Sequence, residues 1–267
     1  MEWNIAMAEP STELRPPSPW LMLLESRAPW EYAATLAVMP WLSRVPRGDG
    51  HPVIVFPGLG ASELSTRTLR GFLGQLGYAT YDWGLGRNRP RAGLFESCRE
   101  YMLQVAARHD RKVSLVGWSL GGVYARELAK QLEPQTRCVI TLGSPFSGHV
   151  RATNAARAYE LYSGKPLQQD PVRAERLRRA PSVPTTSIYS KTDGVVAWQC
   201  SLNEDAPHTE NIEIHASHLG LGVNPLALYA VADRLRQDPA HWQRFDARAV
   251  PRWLFRGAAP QHSKAAH

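Results

Sequence analysis

KVSLVGWSLGG, residues 112–122, is the stretch on which the reading of this 267-residue chain turns. Its first half is an apolar, β-branched run that suits a strand buried on both faces, and its second half opens a helix expected over 121–132. Between them Gly117-Trp118-Ser119-Leu120-Gly121 has the form G-x-S-x-G. A strand that turns sharply into a helix holds the residue at the turn in a strained backbone conformation. Only small residues two positions to either side let strand and helix approach. Such a turn lifts the Ser119 hydroxyl above the sheet, beside a helix N-terminus that favours developing negative charge. Ser119 is the candidate nucleophile.

A serine hydroxyl is a weak nucleophile without a base, and the base needs an acid to orient it. After a strand expected at 185–189 comes SKTDGVV, which puts Asp193 at the strand's C-terminal end, where catalytic groups gather in open α/β sheets. Gly194 permits the turn. After the last expected strand, 212–215, comes HASHLGLGVNP with two histidines. His215 ends the strand and is expected to face the sheet or its edge, whereas His218 sits in the loop with room to reach Ser119. His218 is the preferred base. Glu204 and Asp205, in a polar loop with no strand before it, are the fallback acids. A tetrahedral oxyanion also needs two donors. One is the Leu120 amide, next to the nucleophile. The other is the Leu59 amide in PVIVFPGLGAS (52–62), which Gly58 and Gly60 let turn inward.

From residue 51 onward, strand-like runs at 52–56, 78–83, 112–116, 139–142, 185–189 and 212–215 alternate with helical patterns. The helical patterns fall at 66–76, 94–108, 121–132 and 225–236. This is an α/β pattern: a mostly parallel central sheet flanked by helices. With VGWSLGG, FPGLGAS, KTDGVV and SHLGL in hand, the chain resembles the serine α/β-hydrolase superfamily, and within it the lipase and carboxylesterase branch, over roughly 51–237. TLGSPFSG (141–148) looks like the T-P-H-x-G element of many lipases, but Phe146 stands where those have histidine. Likewise Pro57 replaces the usual histidine before the oxyanion glycine. The resemblance implies the α/β-hydrolase fold and ester hydrolysis through an acyl-enzyme. Ser119 would attack, His218 would carry the proton, Asp193 would orient His218, and the Leu59 and Leu120 amides would hold the oxyanion. It implies no metal and no organic cofactor. Trp118 and Phe146 are the expected substrate contacts. The same triad would serve an acyltransferase, a thioesterase or an amidase, and a non-catalytic binding protein on this fold is a further alternative.

The expected organisation is an N-terminal helical arm over 1–50, the main domain over 51–237, and a basic tail over 238–267. Within the main domain, 147–183 is too long for a simple connection and is read as a helical cap or lid. Tyr159, Leu161 and Tyr162 there could line an apolar acyl channel, and its many arginines could face anionic lipid. In the tail, Trp242, Phe245, Trp253, Leu254 and Phe255 suggest docking, and disorder is expected from 257. The arm reads as two short helices, Ser18 capping and Pro19 opening the first, Pro29 opening the second. Its cluster of Trp20, Leu21, Leu23, Leu24, Trp30, Trp41 and Leu42 reads as packing, with a peripheral membrane anchor as the alternative.

Three cysteines without a C-x-x-C pair exclude a disulfide scaffold and a thiolate zinc site. The formal charge of +7 comes with no nucleic-acid-binding motif, so nucleic acid is not an expected partner. Residues 1–10 hold two glutamates and no Lys or Arg, unlike a secretory signal. Glu25, Arg27, Pro29 and Glu31 interrupt the apolar run 20–42, unlike a membrane span. The expectation is a cytoplasmic enzyme acting on a small-molecule or lipid ester, with peripheral membrane contact open and the oligomeric state undetermined.

Overall fold

Six strands form one wholly parallel sheet: β1 (Pro52–Phe56), β2 (Ala79–Asp82), β3 (Val113–Trp118), β4 (Thr136–Leu142), β5 (Thr185–Tyr189) and β6 (Thr209–Glu213). Their order across the sheet is β2-β1-β3-β4-β5-β6. These are features of a computed structural model, which describes residues 14–246. Every residue of β1 is buried, as a central parallel strand covered on both sides requires. Successive side chains go to opposite faces. Val53, Val55, Val116 and Ile140 therefore pack with Leu69, Phe72 and Val231 from α3 (Arg67–Gln75) and α8 (Pro225–Leu235). On the other face Ile54, Leu115 and Val139 pack with Met102, Val105 and Leu128 from α4 (Leu94–His109) and α5 (Leu120–Gln131).

The stretch expected to form the cap holds α6 (Ala156–Ser163) and α7 (Pro171–Arg178). Asp170 caps α7 by accepting from the amides of Val172 and Arg173, and Asn224 caps α8 by accepting from Leu226; a proline follows each. Four of the cap's six arginines are held in ion pairs. Arg178 and Arg179 pair with Glu175, Arg176 with Glu127, and Arg151 with Glu160. Phe245 of the tail is buried against the α8 layer. The expectations for residues 1–10, for Trp253, Leu254 and Phe255, and for 257 onward lie outside the described residues.

The arm forms α1 (Pro19–Leu23), a 3-10 turn (Leu24–Arg27) and α2 (Ala28–Leu42), with Ser18 accepting from the Leu21 amide. The expected apolar packing is corrected here. Trp20, Leu23, Trp30 and Trp41 are exposed, Leu42 is buried, and the side turned to the protein carries Glu25, Arg27 and Glu31. Those polar groups meet backbone partners on the loops that follow β5 and β6, which apolar side chains could not satisfy. Among the described residues no helix is long and apolar enough to cross a membrane.

Candidate active site

The three chemically promising residues all leave the same edge of the sheet. Ser119 follows β3 directly, Asp193 follows β5, and His218 follows β6. Ser119 adopts φ 54° and ψ −125°, a left-handed φ that few non-glycine residues adopt. Its amide donates to the Leu142 carbonyl at 2.8 Å, which ties the turn to the end of β4. A Cβ on Gly117 would lie 2.3 Å from the Gly122 Cα, and one on Gly121 would lie 2.5 Å from the Phe56 oxygen and 2.6 Å from that of Pro57. All of these neighbours are backbone, so none can swing aside. Gly121→Ala is therefore expected to destabilise the fold by about 1–3 kcal/mol, read by urea unfolding.

His218 Nε2 lies 3.0 Å from Ser119 Oγ, and His218 Nδ1 lies 2.7 Å from Asp193 Oδ2. The carboxylate accepts, so Nδ1 carries the proton and Nε2 presents its lone pair to the Ser119 hydroxyl. Asp193 Oδ1 is held in turn by the amides of Val195 and Val196, at 2.8 and 2.7 Å. Burial by itself would push His218 down. The charge of Asp193, its hydrogen bond and the charge of Glu25 outweigh that and hold the imidazole above its ordinary range. The other predicted candidates are elsewhere. His215 is exposed rather than turned to the sheet, because β6 ends two residues before it. Glu204 pairs with Arg178 and Asp205 with Arg244.

Leu59 and Leu120 both line the cavity that exposes Ser119, and neither amide donates to another group among the described residues. Gly58 brings the first of these loops against Ser119: a Cβ there would lie 3.4 Å from the serine Cβ. The loop is braced by Asn88, a residue that sequence reasoning passed over. Fully buried, Asn88 donates from Nδ2 to the Pro57 carbonyl, accepts from the Gly60 amide and donates its own amide to Ala61. Phe146 lines the cavity, beneath the guanidinium of Arg126 at 3.7 Å from the ring centroid. Trp118 does not line it; its indole donates to the His218 carbonyl at 3.0 Å and braces that loop.

A second chain of the same residue types shows what geometry alone would misread. Ser114, His51 and Asp49 are hydrogen-bonded in sequence at the opposite edge of the sheet. Both Ser114 and His51 are wholly buried, and burial pushes His51 down to about 4. That serine has no path to a substrate and that histidine stays neutral. Ser119, by contrast, is half-buried at a cavity.

Known folds agree with this layout. The chain superposes on lipase B of Aspergillus fumigatus with TM-score 0.56 and 21% identity, over 74% of this chain and 54% of that one. It thus spans about half the length of that lipase. A lipase-esterase related protein of Clostridium acetobutylicum gives 0.51 at 14% identity, covering 70% and 95% of the two chains. The esterase domain of a Rhodothermus marinus protein gives 0.50 at 19%, covering 71% and 87%. At these identities the likeness is one of fold. No curated protein matches the chain in sequence. The profile of the Alpha/beta hydrolase family, however, matches residues 53–265, which take in β2 to β6 and all of β1 but Pro52. The chain belongs to the alpha/beta hydrolase family.

Proposed function

We propose that the chain is a serine hydrolase that cleaves carboxylic esters through an acyl-enzyme. The observation that carries this reading is the chain Asp193–His218–Ser119 opening on a cavity whose wall holds two uncommitted amides. Ser119 Oγ attacks the ester carbonyl as His218 Nε2 takes its proton. The amides of Leu59 and Leu120 receive the negative oxygen, and Asp193 stabilises the imidazolium. Collapse breaks the bond to the alcohol oxygen, which leaves with the proton from His218. Water then repeats the sequence on the acyl-enzyme, releasing the acid and freeing Ser119.

The cavity suggests the acyl group. Val123, Phe146, Ala156, Tyr159 and Leu177 line it, and its volume is about 140 Å³. Apolar cavities of roughly 150 Å³ hold a benzene-sized molecule. Acyl groups of about that bulk, four to six carbons or one aromatic ring, should be turned over faster than either acetyl or palmitoyl esters. A p-nitrophenyl ester panel reads this directly, and a maximum at palmitoyl would remove the size argument. For the reaction itself, a fluorophosphonate probe should label Ser119, located by peptide mapping, and His218→Ala should block the labelling. Absence of label on the intact protein defeats the proposal. Product analysis with added alcohol separates hydrolysis from acyl transfer.

A further inference from the structure

The N-terminal arm reaches the catalytic loops with a carboxylate. Glu25, in the 3-10 turn, is 5% exposed and lies 169 residues or more from each of its partners. Its Oε1 accepts from the amides of Gly194 at 2.8 Å and His218 at 2.9 Å, and its Oε2 accepts from that of Leu219 at 2.8 Å. These three amides belong to the residue after the acid, to the base itself and to the residue after the base. One side chain thus joins the loop of Asp193 to the loop of His218. Gly194 admits the contact, since a Cβ there would lie 2.3 Å from the Leu21 carbonyl oxygen.

Among the described residues no cation pairs with Glu25. A buried carboxylate without a cation is costly, and here only oriented N–H groups offset the cost. Neighbouring contacts extend the clamp. Glu31 accepts from the Ser217 amide and from Asn224, Arg27 donates to Thr192, and the Thr35 hydroxyl donates to the Val223 carbonyl. We propose that Glu25 is a positioning residue for the triad, holding the loops of Asp193 and His218 in register so that the arm completes the catalytic geometry. This rests on the ester-hydrolase reading above.

The charge of Glu25 gives the test its signature. The groups that face His218 are Asp193, Ser119 and Glu25, with Glu31 and its partner Arg27 one residue away on the Ser217 amide. The base works only when neutral, so kcat/KM rises as pH climbs through the His218 pKa. Glu25 helps to hold that pKa up, so its removal moves the acid limb to lower pH. Glu25→Gln also presents an N–H to one of three donors and lets the loops drift. A drift of about 1 Å costs on the order of 10²-fold in rate.

In the full chain, Glu25→Gln should lower kcat by about that factor, leave KM for a short-chain ester within about twofold, and shift the acid limb downward. Glu25→Asp keeps the charge but withdraws the carboxylate, so it should lose kcat with the acid limb unmoved. Wild-type kcat and an unmoved acid limb in Glu25→Gln would make Glu25 a structural brace and overturn the proposal. If that variant does not fold, undiminished kcat in Glu25→Asp overturns it equally. Failure of the wild-type protein to react with fluorophosphonate would instead sink the hydrolase reading beneath it.

The outer side of the arm carries an independent observation. The stripe of α2 that meets the protein, Ala28, Glu31, Thr35, Met39 and Leu42, is one residue wide at helical spacing. Around it Trp30 is 78% exposed, Leu36 53% and Trp41 50%. No charged residue occurs from Tyr32 to Ser43, and then the exposed Arg44 and Arg47 follow, with no carboxylate partner among the described residues. An exposed apolar patch with aromatic residues and a basic edge matches the chemistry of an anionic bilayer surface. We infer that this face docks there. The chain should co-sediment with phosphatidylcholine vesicles containing anionic lipid, and binding should weaken with salt. Trp30→Ser with Leu36→Ser should abolish it without changing turnover of a soluble ester. No co-sedimentation, or binding undiminished in the double variant, overturns the inference. So does a dimer in solution that the double variant dissolves, because a second copy would then be the occupant.

Discussion

Ser119→Ala is expected to lower kcat for a short-chain p-nitrophenyl ester by about 10⁵- to 10⁶-fold, leaving the residual catalysis that oxyanion donors and binding provide. The substitution removes one atom, the oxygen 3.0 Å from His218 Nε2. It leaves in place the hydrogen bond that the residue's backbone N–H donates to the Leu142 carbonyl, and alanine meets the same φ of 54° as serine. The thermal midpoint should therefore stay close to that of the wild type, and the double-glycine packing of the elbow should be undisturbed. Measured together, kcat and Tm separate loss of the nucleophile from loss of the fold. Turnover undiminished by the substitution would mean that the ester is cleaved elsewhere or by another group.

Asp193→Asn is the second large effect, about 10⁴-fold in kcat, through the tautomer of His218. An asparagine side chain has one acceptor atom where aspartate has two. The amides of Val195 and Val196 both require an acceptor at the Oδ1 position, so the asparagine oxygen takes that place. Its NH₂ group then faces His218 Nδ1 and donates to it. The ring must carry its proton on Nε2, where it can no longer accept from Ser119. Loss of the negative charge also lowers the His218 pKa, so raising the pH should not restore the rate. Nitrogen NMR of the imidazole reads the tautomer directly. A fall of less than tenfold in kcat would show that Asp193 does not orient the base.

How far the fold could be read in advance depended on where each element found its partners. β1 and β5 match their expected bounds because each is a short run bounded by turn residues. β6 was expected at 212–215 but runs Thr209–Glu213. Glu210 lies outside the expected run, yet it is buried within the strand against Arg234 and Thr186. β4 likewise starts earlier, at Thr136, because the Thr136 hydroxyl donates to the Leu132 carbonyl and Arg137 to the Gln237 carbonyl. Polar residues enter strands where distant groups satisfy them, and no local pattern reveals that.

The candidate site divides along the same line. Ser119, Asp193 and His218 stood out because each sits just beyond a strand, at a place where the chemistry restricts the residue type. Glu25 and Asn88 gave no such signal. A glutamate in an apolar arm reads as an interruption, and an asparagine among arginines reads as surface; their roles appear only when chain segments far apart in sequence meet. The outward tryptophans were misjudged for a related reason, since composition reports how apolar a helix is but not which side the protein leaves uncovered.

From its residues alone, then, this protein was a parallel α/β chain with a serine on a strand-to-helix turn and an acid and a base downstream. Periodicity and steric restriction act over neighbouring residues, and they leave a local trace. The tertiary structure decided that the arm's inner side meets the loops of Asp193 and His218, that tryptophans on its outer side are exposed, and which of two serine–histidine–aspartate chains meets a cavity. Those outcomes depend on burial and on backbone donors brought together across the molecule, and only folding sets them.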